Sequence, residues 1–317
     1  MPEDVDRVTE PLRHVVASTD FSEPAASGVA WAREIARAHG ATLHLVHAVD
    51  QLDPRMLGTV GAELLAAGAE QHRDLAEEAL RFARERLDAE AREMEASGLA
   101  VTAWADFGQP SQVVLRAVHE HAADLVVTAT RGFGGFRHLL LGSTAERVVQ
   151  RCEVPVLSVH RGDRDGAGPI RRLLVPTDFS DDAHHALRAA VRVFRPGPGT
   201  TIHLLHVVHL PPEYQVYRAD GLSGMSRGLV GQAMEVAEEE IAKVAAGLDR
   251  DGATVETEVT EGDPADIIVA RADDREVDLI AMGTHGAGAI ERLFLGTVAR
   301  RVVQHGPCPV LTVRHRS

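Results

Sequence analysis

Leu279-Ile280-Ala281-Met282-Gly283-Thr284-His285-Gly286, then Gly296-Thr297-Val298-Ala299-Arg300-Arg301-Val302-Val303, reads as a buried strand, a glycine-rich loop and the start of a helix. Glycines permit positive φ and close approach of backbone to a ligand. The first N–H groups of a helix lack intrahelical partners and attract anions. The stretch therefore reads as a phosphate cradle. The chain's sole lysine is Lys243, far from this loop in sequence, so neither a P-loop lysine nor a Schiff-base lysine is at hand.

The same pattern occurs twice, and self-similarity of this kind settles domain organisation before any single element does. Val101 to His160 aligns without a gap on Val255 to Arg314, pairing Gly108 with Gly262, Pro110 with Pro264, Asp124 with Asp278, Gly132 with Gly286 and Gly142 with Gly296. Upstream, Val15 to Ser22 matches Leu173 to Ser180, and Leu43-His44-Leu45-Val46-His47 matches Ile202-His203-Leu204-Leu205-His206. Two domains are expected, residues 1–162 and 163–317, joined through the glycine- and charge-rich segment from Arg161 to Pro169.

In the second copy, strands are expected near 171–177, 201–209, 253–260, 278–283 and 308–314, with helices near 180–194, 223–250, 264–274 and 296–305. Strict alternation of strand and helix predicts an α/β fold: a doubly wound, open parallel sheet in each copy, with helices on both faces. Ligands of such sheets bind outside the carboxyl ends of the strands. Asp178 follows the first strand of its copy and Gly283 ends the fourth, so both belong to that edge. The apolar last strands, Val154 to Val159 and Cys308 to Val313, need partners along their edges. The two halves are expected to pair there about a pseudo-two-fold axis, with a further homodimer left open.

Composition narrows the function classes. The 317 residues are 44% hydrophobic and carry a formal net charge of −14, with a pI near 5.6. That acidity argues against a nucleic-acid partner, which needs a basic face. No apolar run has the length of about 20 residues that spans a bilayer. Cys152 and Cys308 form no C-x-x-C pair, and no secretory core opens the chain, so a reduced cytoplasmic setting is expected. His44, His47, His203 and His206 invite a metal reading, but residues three apart on a strand point to opposite faces, so no metal site is assigned.

Pro176-Thr177-Asp178-Phe179-Ser180 after one strand, Leu205-His206-Val207 in the next, and Met282-Gly283-x-x-Gly286 followed by Gly296-Thr297 resemble the universal stress protein family, here as a tandem member. The resemblance covers nearly the whole chain. It implies five-stranded parallel sheets of order 3-2-1-4-5, pairing through last strands, and ATP bound by members that carry G-x2-G-x9-G-S/T. Carried over residue by residue, it places Pro176, Thr177 and Asp178 on the adenine side and Val207 on the base. Met282 and Gly283 fall by the adenosine, and Gly286, Gly296, Thr297 and Val298 by the ribose and phosphates. With no lysine present, backbone amides and a magnesium ion would offset the triphosphate charge.

The first copy departs from the pattern. Its loop begins with Ala129 and continues through Gly132 to Gly142-Ser143; Ser18 stands for Pro176 and Ala48 for Val207, while Asp20 is kept. Weaker or absent nucleotide is expected there, provided the leading glycine needs positive φ or touches the sugar. Asp20 and Asp178 also fit an N-cap or an Asx-turn beside the following serine. His285 could reach a phosphate as a donor, as could Arg137 and Arg292. The segments from Gln51 to Gly68 and from Leu210 to Gly231, the latter with Tyr214 and Tyr217, could be lids over the sites. Three readings stay open: a nucleotide-binding regulatory protein, a slow ATPase or nucleotide transferase, and a scaffold with empty pockets. No nucleophile or acid–base pair stands out near the loop, so no catalytic residue is assigned.

Overall fold

The computed structural model describes residues 10–49, 69–130, 142–160, 166, 168–209, 223–248, 251–285 and 295–314, without the side chains of 69–75, 223–227 and 229. The first half runs β1 (His14–Ser18), α1 (Glu23–His39), β2 (Thr42–Val49), α2 (Ala69–Glu95), β3 (Val101–Phe107), α3 (Pro110–Glu120), β4 (Leu125–Ala129), α4 (Ser143–Arg151) and β5 (Val156–Val159). The second half repeats it as β6 (Arg172–Pro176), α5 (Asp181–Phe194), β7 (Thr201–Val208), α6 (Ser223–Gly247), β8 (Thr254–Glu261), α7 (Pro264–Asp274), β9 (Leu279–Gly283), α8 (Thr297–His305) and β10 (Val310–Val313). The expected mobile segment from Leu210 to Gly231 is helical from Ser223 onward. The other expected lid, and the glycines Gly132 and Gly286 with Arg137, Arg292, Tyr214 and Tyr217, lie outside the described residues.

Each half is a parallel sheet of order 3-2-1-4-5, and the two join into one ten-stranded sheet, β3-β2-β1-β4-β5-β10-β9-β6-β7-β8. The junction is the only antiparallel pair among the described strands, with Val310 opposite Ser158, Leu311 opposite Leu157 and Thr312 opposite Val156. This register is symmetric about Leu157 and Leu311, so a pseudo-two-fold axis passes between two leucines that are 0% exposed. Burying a leucine side chain is worth about 1.5–3 kcal/mol. Placing a pair of them on the axis gives the last strands the partner their apolar sequences require.

The strands alternate between two cores. Val15 and Ala17 face one that includes Trp31 of α1, Leu87 of α2, Leu187 of α5 and Ile241 of α6. Val16, Val113 of α3, Val148 of α4, Ile268 of α7 and Val302 of α8 form the other. Each core runs through both halves, with α1, α2, α5 and α6 on one face and α3, α4, α7 and α8 on the other. Because β5 and β10 are antiparallel, the carboxyl edge of one half's parallel strands points opposite to that of the other.

Candidate functional site

The carboxyl edge of β6 turns tightly into α5. Thr177 donates its N–H to the Leu205 carbonyl (2.8 Å) and its own carbonyl accepts from His206 Nδ1 (2.8 Å). Phe179 takes a left-handed φ of 63° and stacks on the His206 ring with centroids 4.5 Å apart. Asp178 Oδ1 accepts from the N–H (3.1 Å) and hydroxyl (2.5 Å) of Ser180, whose hydroxyl caps α5 by accepting from Ala183 N–H. Asp178 is thus in an Asx-turn and Ser180 is the cap. The first half repeats every bond with Thr19, Asp20, Phe21, Ser22 and His47. The recurrent histidines His47 and His206 buttress this turn, a role that sequence reading missed although their recurrence beside Phe21 and Phe179 marked them.

At the end of β9, Gly283 lies beside Val313 of β10. Its φ is outside the left-handed region. What requires glycine is packing: a Cβ here would stand 2.8 Å from Asp182 Cβ and 3.0 Å from the Asp182 carbonyl carbon, in the first turn of α5. The positive-φ condition attached to this position is therefore not met, and Ala129 of the first half follows without backbone strain, beside Gly28 of α1. Ser18, in place of Pro176, bonds through its hydroxyl to Thr128 Oγ1 (2.9 Å).

The loop after Gly283 closes at its base. Gly296 N–H donates to the Thr284 carbonyl (2.9 Å), and a Cβ on Gly296 would come within 2.9 Å of that same oxygen. Gly142 and Thr130 form the same closure at 2.7 Å in the first half. Helix α8 starts at Thr297, with Gly296 as an N-cap that offers no side-chain acceptor; α4 starts likewise after Gly142 at Ser143. The N-terminal N–H groups of these two helices are thus left without the serine caps that α1 and α5 carry. Thr297 and Ser143 are exposed.

Of the residues assigned to the second site, Val207, Met282 and Val298 belong to the α7/α8 side of the sheet. Met282 is 6% exposed and takes part in that core, so its side chain has little surface left for a ligand. Val207 and Val298 are half-buried, as is Ala48 in the first half. Pro176 is buried at the end of β6. Of the nearby arginines, Arg301 is already engaged, with Nη1 on Asp263 (2.9 Å) and Nη2 on Asp266 (2.5 Å), and Lys243 on α6 pairs with Glu240. His285 Nδ1 lies 2.9 Å from Thr284 Oγ1 and 3.5 Å from Asp182 Oδ2, and its backbone N–H donates to the same Asp182 oxygen (3.3 Å). This link to Asp182, 103 residues away, carried no signal in the sequence. Among the described residues no cluster of three or more His, Cys, Asp or Glu side chains could hold a metal ion.

A strand-end turn, an apolar wall and a helix N-terminus without a side-chain cap thus sit on one sheet edge in each half. The sequence pattern described as "Universal stress protein family" matches residues 11–160 and again 169–314. The chain belongs to the universal stress protein family. A universal stress protein of Mycolicibacterium smegmatis is 25% identical over 311 residues, covering 95% of this chain and 97% of the relative. The Methanocaldococcus jannaschii universal stress protein MJ0531 is 33% identical over 152 residues, 48% of this chain and 86% of the relative. The crystal structure of a universal stress protein from Archaeoglobus fulgidus superposes with a TM-score of 0.63 at 21% identity, covering 95% of this chain and 98% of that one. At that identity the likeness speaks for the fold alone. No helix among the described residues is long and apolar enough to cross a membrane.

Proposed function

We propose that this universal stress protein binds ATP, with magnesium, at the carboxyl edge of its second half, and that occupancy regulates a response rather than driving turnover. The observation that carries this reading is the start of α8: Gly296 closes the loop on Thr284, and Gly296-Thr297 presents helix N–H groups that no side chain among the described residues caps. Backbone amides at a helix N-terminus suit phosphate oxygens, and the exposed Thr297 hydroxyl adds a donor. Val207 and Val298 supply an apolar wall for a base, with Pro176, Thr177 and Asp178 at the adjoining strand end. Gly283, Gly286 and the backbone of Met282 complete the set we assign. Asp20, Ala48, Ala129, Gly132, Gly142 and Ser143 form the weaker counterpart in the first half. We further propose that residues 1–162 and 163–317 are its two domains, and that it works in the cytoplasm, in keeping with two buried free cysteines.

Isothermal titration with Mg-ATP, together with mass spectrometry of whatever nucleotide co-purifies, tests the reading. One strong site per chain is expected. Two equivalent sites would remove the asymmetry, and the absence of both heat and co-purified nucleotide would leave the scaffold reading. Sustained hydrolysis above about 1 s⁻¹, the ordinary enzyme range, would replace regulation with catalysis.

A further inference from the structure

The last turn of α1 meets the last turn of α5 across the two halves, and one imidazole joins them. We propose that His39 is a pH-sensitive clasp, fastening the lead-in to β1 onto the end of α5 only while its ring is neutral. Nδ1 lies 3.1 Å from the Leu12 backbone nitrogen, and Nε2 lies 2.8 Å from the carbonyl oxygen of Val193, 154 residues away. A backbone N–H can only donate and a carbonyl can only accept. The two bonds therefore fix one form of the ring, the neutral tautomer with its proton on Nε2.

A second proton has to go on Nδ1, where it meets the Leu12 N–H head-on. Leu12 is 1% exposed, and a buried N–H without an acceptor is costly. The imidazole is rigid and planar, so Nδ1 cannot turn away from Leu12 without carrying Nε2 off Val193. Protonation thus opens both bonds together. The second half closes the same corner without a histidine. The turn after α5, Arg195-Pro196-Gly197-Pro198, holds none, and the buried Thr200 hydroxyl ties the lead-in to β6 by donating to the Ile170 carbonyl (2.9 Å). The strands that pair the halves, β5 and β10, contain no titratable side chain. Acid therefore loosens one corner of the contact between the halves and leaves its centre paired.

The charges around the ring favour the neutral form. Arg192 and Arg195, at the end of α5, repel an imidazolium, whereas Asp124, just ahead of β4, attracts one. That carboxylate is already committed: Oδ1 accepts from Arg192 (2.9 Å), and Oδ2 from the N–H groups of Arg13 (2.7 Å) and His14 (3.1 Å). On α1, Arg37 donates to the Ser97 hydroxyl and lies 3.7 Å from Glu34. Glu10 and Arg13, in the lead-in beside Leu12, are exposed. Burial is the largest influence and holds the His39 pKa below its ordinary value; the Val193 carbonyl raises it, and Arg195 and Arg192 add to the lowering. An unfolded histidine takes up its proton near pH 6.5, so the clasp is shut above about that value and opens as the pH falls through the lower folded pKa.

The test follows amide and imidazole protons of the full chain by NMR from about pH 8 to about pH 5, in wild type and in His39→Gln, which removes the titration. At the upper pH the His39 ring should show the Nε2–H tautomer, with that proton protected from exchange. At the lower pH the protection factor of the Leu12 amide, corrected for the intrinsic exchange rate, should have fallen about tenfold, as for the loss of one hydrogen bond. The Nε2 proton should by then exchange freely. The amides of Arg171 and Arg172, held on Asp278 at the matching place in the second half, should keep their protection. In His39→Gln the Leu12 amide should show no such step. A ring protonated on Nδ1 at the upper pH, an Nε2 proton still protected at the lower, or an equal fall at Arg171 and Arg172 would each overturn the clasp. The same Leu12 step in the variant would also overturn it, and would assign the acid response to His14, His44 and His121. Should the variant not fold, the wild type decides: the Leu12 step and the His39 ring titration must share one midpoint, and separate midpoints refute the clasp.

Discussion

Lowering the pH from 7 to 5 should destabilise the first half by an amount traceable to one imidazole. His44 on β2 is 4% exposed, with Nδ1 2.7 Å from Thr102 Oγ1, Nε2 3.1 Å from His14 Nδ1, and its ring stacked on His121 at a centroid distance of 4.0 Å. Burial, and then the neighbouring rings of His121 and His14, push its pKa down to about 4. The unfolded value is about 6.5, so the folded state excludes a proton that the unfolded state takes up. The contribution is fully present above about pH 6.5 and is lost as the pH falls toward 4. At pH 5 the deficit is about 1.5 pH units at 1.36 kcal/mol each, or roughly 2 kcal/mol. His39, His47, His121 and His203 are also held below the ordinary range, each chiefly by burial, and act in the same direction. The assay is urea unfolding at pH 5, 6 and 7 followed by tryptophan fluorescence. Both tryptophans, Trp31 and Trp104, lie in the first half, and Trp104 sits edge-on to His121 at 6.1 Å, so the signal reads the half that holds the cluster. The stability difference between wild type and His44→Gln should fall by about 2 kcal/mol from pH 7 to pH 5. A difference that stays constant would refute the argument.

Gly283→Ala forces a Cβ to within 2.8 Å of Asp182 Cβ, so the first turn of α5 must move, at a cost of about 1–3 kcal/mol; an unchanged denaturation midpoint would show that the packing there is slack. Thr297→Ala should leave stability within about 0.5 kcal/mol, since the residue is exposed and caps nothing, yet weaken ATP roughly tenfold by calorimetry. Arg192→Ala removes two bonds between the halves, Nη2 to Asp124 Oδ1 (2.9 Å) and Nε to the Glu10 carbonyl (3.1 Å), and should cost about 1–3 kcal/mol at neutral pH in thermal unfolding. Burial would raise the Asp124 pKa, but the N–H groups of Arg13 and His14 and the Arg192 guanidinium outweigh it and hold the carboxyl below the usual range. The Arg192 effect is therefore present above about pH 4 and fades as the pH falls through the depressed value, and a loss that persists after the carboxyl is protonated would point away from the ion pair.

Elements whose cause is local were legible in the sequence. The helix expected near 264–274 is Pro264–Asp274, because Asp263 as N-cap and Pro264 at the first turn announce it. The strand expected near 201–209 is Thr201–Val208; alternation announced the parallel sheet, and its order 3-2-1-4-5 was implied by the family resemblance. The apolar last strands announced a pairing but not the Leu157–Leu311 register, which depends on both chains of side chains at once. What stayed hidden joins residues distant in sequence: Asp182 with His285, His206 with Thr177, and the stack of His44 on His121. Gly283 was visible as a required glycine, but the crowding of its Cβ position by the first turn of α5, without a left-handed φ, was not. The halves also differ at the contact of Asp182 with His285, whose matching positions in the first half are Pro24 and Arg131.

Fusing two copies into one chain lets them diverge wherever the pseudo-two-fold axis does not hold them equal, and the differences fall accordingly. Near the axis the halves bond reciprocally: His160 Nε2 donates to the Val303 carbonyl in the last turn of α8 (2.7 Å), and Arg314 Nη1 to the Gln150 carbonyl in the last turn of α4 (3.0 Å). Thr130 and Thr284 each donate an N–H to the end of their own last strand, at Val159 and Val313, and each accepts from the glycine that precedes α4 or α8. Each loop-closing threonine thus connects through its last strand to the far end of the other half's helix, so a change here would disturb both sites. Away from the axis nothing enforces likeness. At the amino edge of the sheet the first half packs His14 and His121 against the buried His44, where the second sets Arg172 against Glu276, and Arg275 against His203, Glu256 and Glu258. In sequence, Pro24 and Arg131 occupy the positions that match Asp182 and His285. A homodimer of single domains would carry each of these changes twice, whereas the tandem chain can confine each of them to one half.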